Sequence, residues 1–341
     1  MGSAEPVTSA IAAKVTARLS QLGRTADGTR VAYLALHAPS LGVTSAKVLS
    51  EYPHLEELDL HDNALVDLAP LSPLAALLTL DVSGNGLANL LDFAPPAGLR
   101  VVNYASNALE RLPPTLAADH PCLTTLILDH NGIADLSPLA GLQSLVSLSV
   151  RHNKVDDVSV LTDLPALKEL ALSGNHLQSL VGLAALPALE RLDVANNAIT
   201  TLDGFESELE FLFEVDAGGN FIKDVEQVAH LAPLPLLRKV TLAGNPMAAD
   251  EGYRTRTLFL VPQLAYLDGG EVSAEDKVAV VNMYDPPQPV LDYRKHCLEY
   301  DTMLGEHLSL PPPLADPDLE APAIWDGEIR VGSPSSRGST P

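Results

Sequence analysis

Apolar positions along residues 55–247 obey one spacing rule. The chain reads Leu-x-x-Leu-x-Leu-x-x-Asn-x-Leu, again and again, with Val, Ile, Ala, Tyr or Met replacing some of the leucines. The first position falls at Leu55, Leu77, Leu99, Leu123, Leu145, Leu167, Leu189, Leu212 and Leu237. The asparagines Asn63, Asn85, Asn107, Asn131, Asn153, Asn175, Asn197, Asn220 and Asn245 are 22, 22, 24, 22, 22, 22, 23 and 25 residues apart. Within each window the alternation predicts a short strand whose side chains point in and out in turn. Leu58 and Leu60, or Leu148 and Val150, point inward. The second apolar set, such as Leu68, Leu71 and Leu74 or Val158, Leu161 and Leu164, has Leu-x-x-Leu spacing. In so short a repeat that spacing predicts 3₁₀ or short helical turns.

A fixed period of this length with this signature marks a leucine-rich repeat solenoid. The fold class is α/β, with a curved parallel sheet on the concave side and 3₁₀ or short helices on the convex side. The asparagine amide can donate to and accept from backbone groups of adjacent turns, so the nine asparagines should form a buried ladder. Residues 29–50 read as a degenerate first repeat with Pro39 in place of the asparagine, and the repeats span 29–245. Residues 1–28 read as a helical N-terminal cap, with Ile11, Val15, Leu19 and Leu22 at helical spacing and Gly23 at its end. Residues 246–285 read as a C-terminal cap with a short helix. Ser273-Ala274-Glu275-Asp276 resembles a capping box with Asp in place of Glu, opening a helix through Val280. Pro286 and Pro287 break it. A second helix is expected within 286–309, and 310–341 reads as a Pro-rich disordered or extended tail.

Charge narrows the partners. There are 44 acidic and 21 basic residues, a net charge of −23. Nucleic acids and anionic membranes attract basic surfaces, so neither is an expected partner. Basic or helical protein segments are the natural complement. Two cysteines, Cys122 and Cys297, cannot build two disulfide caps, which predicts a reducing compartment. No run of 18 apolar residues is present, so no membrane-spanning helix is expected.

Three stretches carry a resemblance. Leu22-Gly23-Arg24-Thr25-Ala26-Asp27-Gly28 is followed by Ala32-Tyr33-Leu34-Ala35-Leu36. Leu202-Asp203-Gly204-Phe205 lies in a later repeat. Leu234-Pro235-Leu236-Leu237-Arg238 precedes Asn245-Pro246, Tyr253-Arg254 and Leu264-Ala265-Tyr266-Leu267-Asp268. Together they resemble the leucine-rich repeat-containing protein 23 family, radial-spoke proteins of motile cilia and flagella. The resemblance implies a cytoplasmic, axonemal scaffold at the third radial spoke, with other axonemal and radial-spoke proteins as partners. After the cap the chain departs from that family's long charged helical tail. A regulatory subunit of a protein phosphatase, or a dynein-associated light chain, is the alternative reading of such repeats. Phe213, almost the sole outward aromatic in the strands, weighs against the phosphatase role.

The residues offer no catalytic, cofactor or metal constellation. His130 and His152 should be neighbours, but two histidines do not make a metal site. Asp129 and Arg151 are expected to pair across strands. One outward column runs Asp59, Asp81, Asn103, Ile127, Ser149, Ala171, Asp193, Asp216, Thr241. Its acidic ends could clamp a basic segment, with Ile127 and Ala171 meeting apolar groups. A second column, Glu169, Arg191, Glu214, Lys239, alternates in sign and reads as an ion-pair ladder. Trp325, alone of its kind in the chain, is a candidate docking anchor in the tail.

Overall fold

The computed structural model describes residues 13–25, 28–90, 93–205, 209–285, 288, 291–292 and 295–296. Two compact units divide between Asp285 and Pro286. In the second unit the five described residues are helical, and Gln288 Nε2 donates to Asp292 Oδ1 at 2.8 Å. The other residues of the expected second helix, the expected Pro-rich tail and Trp325 lie outside the described residues.

The first unit is one sheet of 13 strands in sequential order. They are β1 (Leu19–Arg24), β2 (Val31–His37), β3 (Glu57–Asp59), β4 (Thr79–Asp81), β5 (Val101–Asn103), β6 (Thr125–Ile127), β7 (Ser147–Ser149), β8 (Glu169–Ala171), β9 (Arg191–Asp193), β10 (Glu214–Asp216), β11 (Lys239–Thr241), β12 (Tyr266–Leu267) and β13 (Gly270–Glu271). From β2 to β12 every pairing is parallel. The two end pairings, β1 with β2 and β12 with β13, are antiparallel. Return segments carry 3₁₀ turns at Lys47–Glu51, Ala69–Leu71, Ser137–Leu139, Leu183–Ala185 and Val225–Leu231. The longer loop near Pro121 holds a single α-helical turn, Leu116–Asp119.

Each inward strand residue is buried, as with Leu58, Leu80, Leu126, Leu148 and Leu192. Stacked repeats merge these rows into one aliphatic core, which no single repeat could close alone. Tyr104 takes the place held by Leu60, Val82, Leu128 and Val150 in other repeats; its ring is buried, its hydroxyl has no partner among the described residues, and burial pushes its pKa upward.

The asparagine ladder has the expected connections. Asn175 Oδ1 accepts from Val155 N–H at 3.0 Å, while its Nδ2 donates to Val150 and Leu172 carbonyls at 2.8 Å each. The last five, Asn153, Asn175, Asn197, Asn220 and Asn245, are buried; Asn63, Asn85, Asn107 and Asn131 are half-buried. Just before each ladder residue the chain turns through positive φ, at Asp62, Gly84, Ser106, His130, His152, Gly174, Asn196, Gly219 and Gly244. Gly, Asn, Asp, Ser and His recur there because that conformation is cheapest for glycine and for short polar side chains. At Gly174 (φ +71°) a Cβ would also sit 2.5 Å from His152 Nδ1.

Three sequence expectations are corrected. The N-terminal cap is helical only over residues 13–16 of its described part. Val15 is buried there, but Leu19 and Leu22 belong to β1, which folds back on β2 as a hairpin. Cross-strand pairing to β2 supplies backbone partners that a free helix end would lack, and it leaves Leu22 exposed. In the first repeat, register places Leu41 opposite Asn63, since His37 pairs with Asp59. Leu41, not Pro39, therefore stands in the asparagine's place, and Asn63 Oδ1 accepts its N–H at 3.0 Å. The last cap helix runs on to Tyr284 rather than Val280. Tyr284 is held against Phe259 (ring centroids 5.1 Å apart) and under the Arg256 guanidinium, which stabilises the extra turn.

The capping box itself is formed. Ser273 Oγ accepts from Asp276 N–H at 3.0 Å and Asp276 Oδ2 accepts from Ser273 N–H at 3.1 Å. That N–H, with Arg254 beside it, holds the Asp276 carboxyl below the usual carboxylate range. At the end of the array Asp268 replaces a backbone carbonyl. Its Oδ1 accepts from the Leu242 and Ala243 N–H groups at 2.6 and 2.8 Å, and its Oδ2 from the Tyr253 hydroxyl at 2.8 Å.

Candidate functional site

A parallel in-register sheet turns each outward sequence position into a straight column of side chains. The register confirms the first column: His37, Asp59, Asp81, Asn103, Ile127, Ser149, Ala171, Asp193, Asp216 and Thr241 are successive partners. It also separates the two acidic ends. Asp81 and Asp193 stand five strand spacings apart, roughly 24 Å, so no small group touches both.

Most of these carboxylates are already engaged. Asp59 Oδ1 lies 2.6 Å from His61 Nδ1, with His37 Nδ1 at 3.7 Å from Oδ2. Asp59's hydrogen bond raises the His61 pKa, against a small desolvation penalty. Asp81 accepts from Ser83 Oγ at 2.7 Å and Asn103 Nδ2 at 2.9 Å. Asp193 takes Arg151 Nε at 3.0 Å and Ser173 Oγ at 3.1 Å. Asp216 accepts from Gly218 N–H at 3.0 Å. Burial raises its pKa most, and the nearby Asp193 and Glu214 carboxylates add to the rise.

The second column is an ion-pair ladder. Arg191 binds Glu169 through Nη1 and lies 4.0 Å from Glu214 through Nε, and Lys239 binds Glu214. Between the two columns, across β6 to β10, the sheet face forms a shallow groove of about 520 Å³. Its lining includes Ile127, Ser149 and Ala171 together with Arg151, Asp193 and Asp216. The expected Asp129–Arg151 ion pair is not made. Arg151 presents only its backbone N–H to Asp129, at 2.8 Å, while its guanidinium extends two strands to Asp193.

His130 and His152 stack, with ring centroids 4.4 Å apart and planes 15° from parallel. Among the described residues no group of three or more His, Cys, Asp or Glu side chains is placed to hold a metal ion. Among the same residues no helix is long and apolar enough to cross a membrane.

Sequence reasoning passed over two exposed aromatics. Phe211 and Phe221 join Phe213 on the surface of the repeat that contains β10. The signal was present, since most other repeats hold small or polar residues at the corresponding positions, such as Ala166 and Lys168, or Ala198, although Leu78 and Val146 stand where Phe213 does and Leu236 where Phe211 does.

Comparisons with known proteins agree with this architecture. Residues 121–177 match the family model described as leucine rich repeat, and 165–207 one described as leucine rich repeats (2 copies). The chain is 34% identical over 252 residues to human leucine-rich repeat-containing protein 23, covering 73% of this chain and 72% of the relative. The bovine protein of that name gives the same identity and coverage. Among solved structures, an internalin (inlF) from Listeria monocytogenes superposes with a TM-score of 0.52 at 23% identity, covering 67% of this chain and 72% of that one. That likeness shows the fold alone.

Proposed function

Because the chain belongs to the leucine-rich repeat-containing protein 23 family, we propose that it is a non-catalytic protein-interaction scaffold of the ciliary or flagellar axoneme, a structural component of a radial spoke. Kinship over nearly three quarters of both chains is the observation that carries this reading. The repeat array supports it physically. One continuous core joins the repeats, so the sheet face is a rigid, extended surface rather than a set of mobile modules. Most of its carboxylates are held by neighbours, which preorganises the face for contact with other axonemal or radial-spoke proteins. Quantitative proteomics of isolated axonemes tests the reading. The protein should remain with salt-washed axonemes; its recovery only in the soluble cytosolic fraction would overturn the assignment.

A further inference from the structure

The chain contains six phenylalanines. Phe93 and Phe205 are buried, and Phe259 is half-buried against the cap. The other three, Phe211 (54% exposed), Phe213 (46%) and Phe221 (56%), all lie in the single repeat built on β10.

The fold does not require them. Other repeats place Ala76, Ser144 or Ala188 where Phe211 stands. They place Arg100, Thr124 or Glu190 where Phe213 stands, and Ala64, Gly86 or Ala198 where Phe221 stands. Those repeats form the same strand and turn. Three half-exposed rings are therefore not needed to form the repeat, and concentrating them in one repeat marks an interaction surface. Leu236, the counterpart of Phe211 in the next repeat, is also exposed and widens the patch.

Two features decide what covers it. The first is backbone availability. β10 is bonded to β9 on one side and β11 on the other. An extended peptide would find no free edge to join, whereas a helix satisfies its own backbone. The second is charge. The outward positions of β10 between Phe213 and Phe221 are Glu214 and Asp216. Asp216 accepts only the Gly218 N–H. Lys239 on β11 attracts it at longer range but is bonded to Glu214, and among the described residues no cationic side chain lies within ion-pair distance of Asp216. A second copy of this chain brings another −23 charges, and an anionic bilayer is also repelled.

We propose that this surface docks a basic amphipathic α-helix of a partner protein, its apolar row covering Phe211, Phe213 and Leu236 and its Lys or Arg side chains reaching Asp216. The inference rests on the scaffold reading in one respect, that a protein partner exists; it does not depend on an axonemal location.

The test uses the full chain and a fluorescein-labelled designed helix of about 18 residues, five turns, with Leu on one face and Lys on the other. Fluorescence anisotropy at about 0.15 M salt limits long-range attraction. The wild type should bind it. The double variant Phe211→Ser/Phe213→Ser should weaken binding at least tenfold, and Asp216→Asn about threefold. A control, Val66→Ser/Val181→Ser, removes exposed apolar side chains elsewhere and should leave the affinity unchanged. Urea midpoints and circular dichroism confirm that each variant is folded. Equal binding by wild type and double variant, no binding by the wild type, or equal binding of a helix with Glu in place of Lys would each overturn the proposal. Concentration-dependent self-association in sedimentation, abolished by the double variant, would assign the patch to a second copy instead. These outcomes are separable from the axoneme experiment. A chain found in axonemes whose patch ignores the helix loses this inference alone. A cytosolic chain whose patch binds keeps it.

Discussion

Arg151 and Asp193 are joined across two strands, Nε to Oδ2 at 3.0 Å. Ser173, the counterpart of Arg151 in the repeat between them, donates to the same Asp193 oxygen at 3.1 Å. These bonds explain why Asp193 is a poor candidate for gripping a partner's cation: the position is already filled. Both groups are partly exposed, so the pair is worth little in water. A double-mutant cycle with Arg151→Met and Asp193→Asn should give a coupling of about 0.3–1 kcal/mol. It should shrink as salt rises, read by urea denaturation at low and high ionic strength.

The ladder asparagines differ in burial, and their loss should differ with it. Asn175→Ala strips partners from buried backbone groups of two repeats. The expected loss is about 2–4 kcal/mol, since each buried group left unsatisfied costs about 1–3 kcal/mol. Asn107→Ala, at a half-buried position, should cost less because water can replace the amide. Parallel urea titrations of the two variants decide the order.

Asp216 should trade stability against binding. Burial and the neighbouring carboxylates raise its pKa, so the folded protein holds that proton more tightly than the unfolded chain. The stabilising effect of protonation is complete below the unfolded pKa and is lost as pH rises through the folded one. At neutral pH the ionised form carries a small cost in the folded state. Asp216→Asn should therefore raise the melting temperature slightly at pH 7, with the gain vanishing in acid, as thermal scans across pH would show. The same substitution should weaken the basic helix.

His61 follows the same sign by a different cause. Asp59 stabilises its imidazolium and raises its pKa above 6.5. The contribution is present below the unfolded pKa and disappears as pH rises through the folded value. Proton NMR titration should place the His61 midpoint above 6.5 in the wild type and lower in Asp59→Asn. An unchanged midpoint would remove Asp59 as the cause.

The end of the solenoid depends on one carboxylate. Tyr253→Phe removes a hydroxyl bonded to Asp268 and should cost about 1.5–3 kcal/mol, the range for a hydrogen bond to a charged group. Asp268→Ala should cost more, because the Leu242 and Ala243 N–H groups lose their acceptor as well. Hydrogen exchange of those two amides should accelerate in Asp268→Ala and not in Tyr253→Phe.

The sequence by itself determined the repeat, the strand faces, the asparagine ladder and the Glu169–Arg191–Glu214–Lys239 ladder. In a solenoid the neighbour in space is the same position one period away, so spacing alone is enough to place it. The tertiary structure decided what that rule does not cover. The ends lack a neighbouring period, so the helical spacing of Val15, Leu19 and Leu22 misled, although Asp27-Gly28 is itself a hairpin turn signal. Long side chains such as Arg151 reach beyond the nearest strand, so the adjacent period does not reveal which acceptor they take. Burial also depends on three dimensions. Periodicity marks Phe213 as outward, but only the folded surface shows that Phe211, Phe213 and Leu236 stay exposed and that Asp216 has no ion-pair partner among the described residues.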